Sequence, residues 1–221
     1  MHRAFFTAPI VILLATLVTE AQTTLPIVED VEWRPFRDHC RQLLQALDKS
    51  PAPLSAETVR SVRALLDRAP DDPREAVRGV QKLLDPHCLL AVSINPESRV
   101  KAARGPASLE LRQDQETVAL LKIHNDGGVT HTLRLYGLEI IGAGERNQGR
   151  WLKAKLVTDA PFRPKLTGQQ LEYRLLRLKP RQYGKREATF QFDVGQGTQD
   201  LGFRAEVPIL FTIRRPAGPR R

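Results

Sequence analysis

Cysteine is scarce in this chain, with Cys40 and Cys88 the only two among 221 residues. They lack the spacing of a metal finger. Aromatic residues make up 6% of the sequence, which leaves little for the interleaved aromatics that nucleic-acid readers place among their basic residues. Catalytic motifs are missing as well. There is no H-E-x-x-H, G-x-S-x-G or P-loop, and no N-x-S/T glycosylation acceptor. Long apolar runs are absent with one exception, which stands at the N-terminus.

That run, Ala4 to Val18, follows Met1-His2-Arg3 and precedes Thr19-Glu20-Ala21. A short basic start, an apolar stretch of this length and small residues at −3 and −1 make up a cleavable secretory signal, with the cut expected after Ala21. The rival, an uncleaved anchor, needs about 20 apolar residues, and this run is shorter and contains Pro9. No cysteine at the cut site offers a lipid anchor. The sequence therefore predicts export to the periplasm or beyond, with no transmembrane segment after cleavage.

The net charge of +9 is unevenly spread. Gln22 to Val92 carries ten Lys/Arg against eleven Asp/Glu, net −1, whereas Ser93 to Arg221 carries 23 against 13, net +10. This marks a compositional boundary near residue 92. The predicted organisation is a signal peptide at 1–21, a helical head at 22–88, a β domain at 89–214 and a basic disordered tail at 215–221.

Phe36, Cys40, Leu43, Leu44 and Leu47 form one helical stripe that ends before SPAPLS. Ser55 is a plausible N-cap for a second helix with Val59, Val62, Leu65 and Leu66. Asp72-Pro73 with Glu75 opens a third, whose apolar face is Ala76, Val80, Leu83 and Leu84 and which Asp85-Pro86 stops. Beyond Cys88 the period changes. Short β-prone runs cover Leu89–Ile94, Leu109–Leu111, Thr117–Ile123, Thr132–Tyr136, Trp151–Val157, Leu171–Leu178, Ala188–Val194 and Ala205–Ile213, separated by turn residues such as Asn125-Asp126-Gly127-Gly128. The fold class predicted is mainly β, an immunoglobulin-like antiparallel β-sandwich preceded by a short three-helix head. A closed barrel is the alternative.

Cys40 on the first stripe and Cys88 past the third helix suggest a disulfide closing a loop of 49 residues, worth about 4 kcal/mol in the chain-entropy model. Two alternatives stand beside it: buried free thiols, or zinc with the neighbouring His39 and His87. Adjacent helical residues point about 100° apart, which works against the latter. His124, Asp126 and His131 flank a hairpin turn and form a weak metal or acid/base candidate, the basis of an alternative reading as a small secreted hydrolase or metal-binding protein. Turn chemistry with solvated histidines is the stronger reading of these residues. Ser98-Arg-Val-Lys101 matches S-x-x-K without its companion elements. Gly142-Ala-Gly144 and Gly195-Gln-Gly197 lack the third glycine of a dinucleotide loop. The basic residues Arg174, Arg177, Lys179, Arg181, Lys185 and Arg186 cluster around one strand and its following turn, and Arg214, Arg215, Arg220 and Arg221 lie at the end. They are the candidate anion-binding site, against the simpler view of a solvated basic face. An anionic polysaccharide or an envelope protein are the partners they suggest; nucleic acid is disfavoured, and no cofactor is implied.

The stretches DPHCLLAVSINPESRVKAARGPASLEL, VALLKIHNDGGVT and KREATFQFDVGQGTQDLGFRAEVPILFTI resemble an accessory region of certain secreted bacterial proteins, in some of which it precedes a PHP-like (CehA/McbA-type) metallohydrolase domain. The resemblance covers most of Asp85 to Ile213, and INPESRVK and FDVGQGTQDLGFR are its most specific parts. It implies a noncatalytic module. The catalytic domain of such a relative would follow beyond Arg221, so the resemblance transfers no catalytic or metal-ligating residue.

Overall fold

The computed structural model describes residues 24–50, 54–136, 151–195 and 205–216. The expected signal peptide, the Gly142-Ala-Gly144 loop, most of the Gly195-Gln-Gly197 turn and all but the first two residues of the expected tail lie outside them. Among the described residues no helix is long and apolar enough to cross a membrane.

Three helices come first: α1 (Trp33–Leu47), α2 (Ala56–Leu66) and α3 (Pro73–Leu84). The caps explain two of the starts. Ser55 accepts from Thr58 N–H, and the Asp72 carboxylate accepts from the N–H groups of Arg74 and Glu75 with Pro73 at the first helical position, so donors left over at each helix start are satisfied. Phe36, Cys40, Leu43, Leu44 and Leu47 are all buried, as the period of the stripe requires, the phenylalanine and leucines each contributing about 1.5–3 kcal/mol of apolar transfer.

A 3-10 turn at Asp85–His87 leads into nine strands: β1 (Cys88–Ile94), β2 (Val100–Arg104), β3 (Glu110–Arg112), β4 (Thr117–Asn125), β5 (Arg134–Tyr136), β6 (Leu152–Leu156), β7 (Leu171–Pro180), β8 (Gly184–Asp193) and β9 (Ala205–Arg214). The larger sheet has the order β2-β1-β4-β7-β6 and the smaller β3-β9-β8-β5. All eight expected strands are present, and β2 is an addition. The fold is mainly β, a sandwich with a three-helix head. The expectation of a wholly antiparallel arrangement is corrected at two places: β1 runs parallel to β4, and β3 parallel to β9. Chain segments crossing between the sheets, not hairpins, bring those strands together.

Strand alternation sorts side chains into two cores. Leu90, Val92, Leu121, Ile123, Leu176, Leu178, Phe190, Phe192, Val207 and Phe211 fill the space between the sheets. Val118, Leu120, Leu171, Tyr173 and Leu175 point from the other face of the larger sheet into the head. Two glycines are required by geometry. A Cβ on Gly105 would lie 2.0 Å from the carbonyl oxygen of Cys88, where β2 turns close over β1. Gly128 takes φ +60° in the turn after β4, which Asn125 closes by bonding both backbone groups of Val129.

Candidate functional site: the outer face of the larger sheet

The outer face of the larger sheet has two halves. Over the half formed by Leu171–Leu175 of β7 lies the head, and the joint contains buried charge. Lys122 donates to Asp85 at 2.7 Å, to Gln81 at 3.0 Å and to the carbonyl of Pro26 at 2.7 Å. Tyr173 donates its hydroxyl to the other Asp85 oxygen at 2.7 Å. Gln81 in turn exchanges two hydrogen bonds with the backbone of Val28. Every polar group of this network therefore has a partner, as burial demands. Burial pushes the Asp85 carboxyl up, against the opposing pull of Lys122 and Tyr173. It also pushes the Tyr173 phenol well up, with the nearby Asp85 adding to the effect.

His39 completes the joint. Its Nε2 lies 2.9 Å from both the N–H and the carbonyl of Tyr173, on a stretch of β7 beyond the end of β6. The neutral ring accepts the N–H, so a helix side chain takes the place of a neighbouring strand. Burial lowers the His39 pKa, with Glu172 opposing.

On the half beyond the head, the same alternation turns Arg177 and Lys179 outward, and Arg181 extends the ladder by donating its N–H to Trp151 O. The β6–β7 register sets Lys153 opposite Lys179 and Lys155 opposite Arg177. Lys153, Lys155, Lys179 and Arg181 are exposed. Arg177 is shared between the carboxylates of Glu116 and Asp159. Among the described residues five cations thus stand on this face, with Glu116 and Asp159 paired to Arg177, and two cross-strand pairs join like charges, an arrangement that costs stability when nothing anionic lies between them.

The six basic residues singled out from sequence divide accordingly. Arg177, Lys179 and Arg181 share this face. Arg174 does not: it is 5% exposed, ion-paired to Glu172 at 2.9 Å, bonded to the carbonyls of Arg163 and Lys165, and set over the Phe162 ring. It fixes the segment between β6 and β7. Its assignment to an exposed anion site is corrected, because an arginine whose donors are already taken by buried oxygens has little left for a ligand. Lys185 and Arg186 are on β8 of the smaller sheet. Of the terminal arginines, Arg214 pairs with Glu110, and Arg215 lies over Tyr183. Sequence reasoning missed Lys153 and Lys155. The signal was the alternation Leu152-Lys-Ala-Lys-Leu156, which gains meaning only when set beside β7.

Cys40 and Cys88 are free, fully buried thiols, not the expected disulfide. Cys88 Sγ donates to Leu84 O at 3.6 Å. Burial drives both thiol pKa values up, away from the thiolate that would attack a partner sulfur. His124, Asp126 and His131 form no metal site either: among the described residues no group of three or more His, Cys, Asp or Glu could hold an ion. His124 is part of the β4 ladder opposite Leu171, while Asp126 and His131 are exposed on the loop that follows.

A groove of about 880 Å³ lies beside the joint, where Pro35, His39 and Gln42 of α1 face Phe162, Arg163 and Lys165. Its two most buried polar groups, His39 and Arg174, already serve the fold.

No family model and no curated protein matches this chain. Among solved structures it is similar to the ASH/PapD-like domain 7 of human CEP192, at 10% identity over 59% of this chain and 87% of that one, with a TM-score of 0.31. It is similar to PbICP-C, solved in complex with falcipain-2, at 10% identity over 49% and 87%, TM-score 0.29. A third likeness is to the secreted serine protease VesC of Vibrio cholerae, at 10% identity over 61% of this chain and 25% of that one, TM-score 0.29. None is similar enough to assign an activity.

Proposed function

We propose that the protein is an exported, noncatalytic accessory module that binds an anionic partner through the outer face of β6 and β7. The observation that carries this reading is the pairing of Lys153 with Lys179 and Lys155 with Arg177 in register on one exposed face. Lysine on a strand at the edge of a sheet also discourages edge-to-edge association, but alternating lysines on one strand do that alone. A second cationic row directly opposite adds repulsion without further protection. An anion seated between the rows removes it. Export rests on the N-terminal run, and the accessory role on the resemblance of Asp85 to Ile213 to the region that precedes some secreted metallohydrolase domains.

The test is retention on an immobilised polyanion as salt rises, because exposed charges are screened within about 10 Å at 0.1 M ionic strength. Reversing Arg177, Lys179 and Arg181 to Glu should release the protein at much lower salt than reversing Arg34, Arg60 and Arg68 in the head. The pair K153E/K155E provides a second, independent variant. Equal losses in head and sheet variants overturn the reading.

A further inference from the structure

We infer that the partner is an extended anionic polysaccharide lying along β6 and β7 at the foot of the helical head, and not a planar anionic surface; this rests on the binding reading above.

The two cationic rows follow the strands. Arg177, Lys179 and Arg181 repeat every second residue, about 6.8 Å apart, and span about 14 Å, while the facing row of Lys153 and Lys155 is about 4.8 Å away. A linear polyanion lying along the strands meets cations on both flanks. The strands already hold the two rows in register.

The relief of the surface decides between a chain and a plane. Helices stand on the same sheet face over Val118, Leu120, Leu171, Tyr173 and Leu175, and a helix with its side chains is about 10–12 Å thick. The cations thus lie at the foot of a step. A flat bilayer brought to this face meets the head first, and the head is net −1 from Gln22 to Val92. A flexible chain reaches the floor of the step directly.

Chemistry then narrows the polymer. Single-stranded nucleic acid is gripped by aromatic platforms as well as by charge. Among the described residues the large exposed aromatics are Tyr136 and Tyr183. Tyr136 is on β5 of the smaller sheet, and Tyr183, in the β7–β8 turn past the end of the strip, already carries Arg215 over one face of its ring. Neither offers a stacking platform on the cationic floor. Three of the five cations are lysines, compact point charges suited to single carboxylates or sulfates on successive sugars.

The experiment uses the mature protein at low salt, titrated with oligogalacturonates of graded length, mixed phosphatidylcholine and phosphatidylglycerol vesicles, and oligothymidylate. Affinity for the oligogalacturonates should rise with length until the strip is filled and then level off, and K153E/K155E should lower it roughly tenfold, while vesicles bind at least as weakly as that variant. Vesicle binding equal to that of the longest oligosaccharide overturns the preference for a chain but leaves the anion-binding face intact. Oligothymidylate bound as tightly, with the same sensitivity to K153E/K155E, overturns the choice of polysaccharide. Binding to none of the three overturns both this inference and the reading beneath it.

Discussion

The two halves of the larger sheet's outer face share strand β7 and handle charge in opposite ways. Under the head, Lys122, Asp85, Tyr173 and Gln81 satisfy one another in a dry joint. A few residues further along β7, the half-exposed Arg177 and the exposed Lys179 face Lys155 and Lys153. Buried charge is tolerated where every donor and acceptor is matched. Exposed like charge is tolerated because water screens it, and it remains available to a ligand. A lysine in a strand therefore says nothing of its role until its face and its position along the strand are known.

The comparison predicts a steep gradient of mutational effects. The largest belongs to Lys122→Met, which strands Asp85 without a counter-ion and should cost about 3–5 kcal/mol in chemical denaturation, whereas Lys179→Ala should change stability by less than about 0.5 kcal/mol. If Lys122→Met proves as mild as Lys179→Ala, the two halves are not different in kind. Adding Asp85→Leu to Lys122→Met should recover much of the loss.

Next comes Tyr173→Phe, which removes one hydrogen bond to a buried carboxylate and should cost about 1–3 kcal/mol. Urea midpoints of wild type and variant measure it directly.

Acid should loosen the head before it affects the cationic half. Burial holds both His39 and His87 below the ordinary value of 6.5. The unfolded chain consequently binds more protons than the folded one in the window below about 6.5, so stability is full above that pH and declines as pH falls through the window. Thermal midpoints recorded across it should drop, and His39→Gln should flatten the part due to His39. A midpoint independent of pH in that range would remove His39 from the joint's energetics.

The smallest effect has the opposite sign. Lys155→Glu places unlike charges opposite each other at Arg177 and should stabilise by about 0.2–1 kcal/mol while weakening polyanion retention. Stability and binding moving in opposite directions is the signature of charge kept for a ligand; if both fall together, the face is structural.

Periodicity revealed the helices well. The stripe Phe36 to Leu47 and the caps at Ser55 and Asp72 need only local rules, and the structure obeys them. Strands were legible as runs, but β2 was hidden because Val-Lys-Ala-Ala-Arg alternates weakly and has no aromatic or second β-branched residue. Pairing was not legible at all: nothing in the chain announces that β1 and β4 run parallel. The site failed in sequence for the same reason. Arg174 and Arg177 look equivalent three residues apart, yet an odd offset puts them on opposite faces of one strand, one sealed against Glu172 and one half-exposed between Glu116 and Asp159. Cys40 and Cys88 invited a bond by their even count and their placement at the two ends of the head in a chain expected to be exported; the structure buries both in one core as free thiols, and shared burial is not by itself a bonding geometry.

The segment from Leu25 to Val28 is more than a lead-in to α1. Leu25 and Val28 are buried, Pro26 O caps Lys122, and Gln81 holds Val28 at both backbone groups. In mechanical terms it is a pin across the joint between head and sheet. A force pulling the strap outward loads the Lys122 and Gln81 bonds together, so the strap should come away as one cooperative event that exposes Asp85 to water. Proteolytic trimming up to Val28 would accordingly be felt at Tyr173, on the far side of the joint, long before it altered any strand.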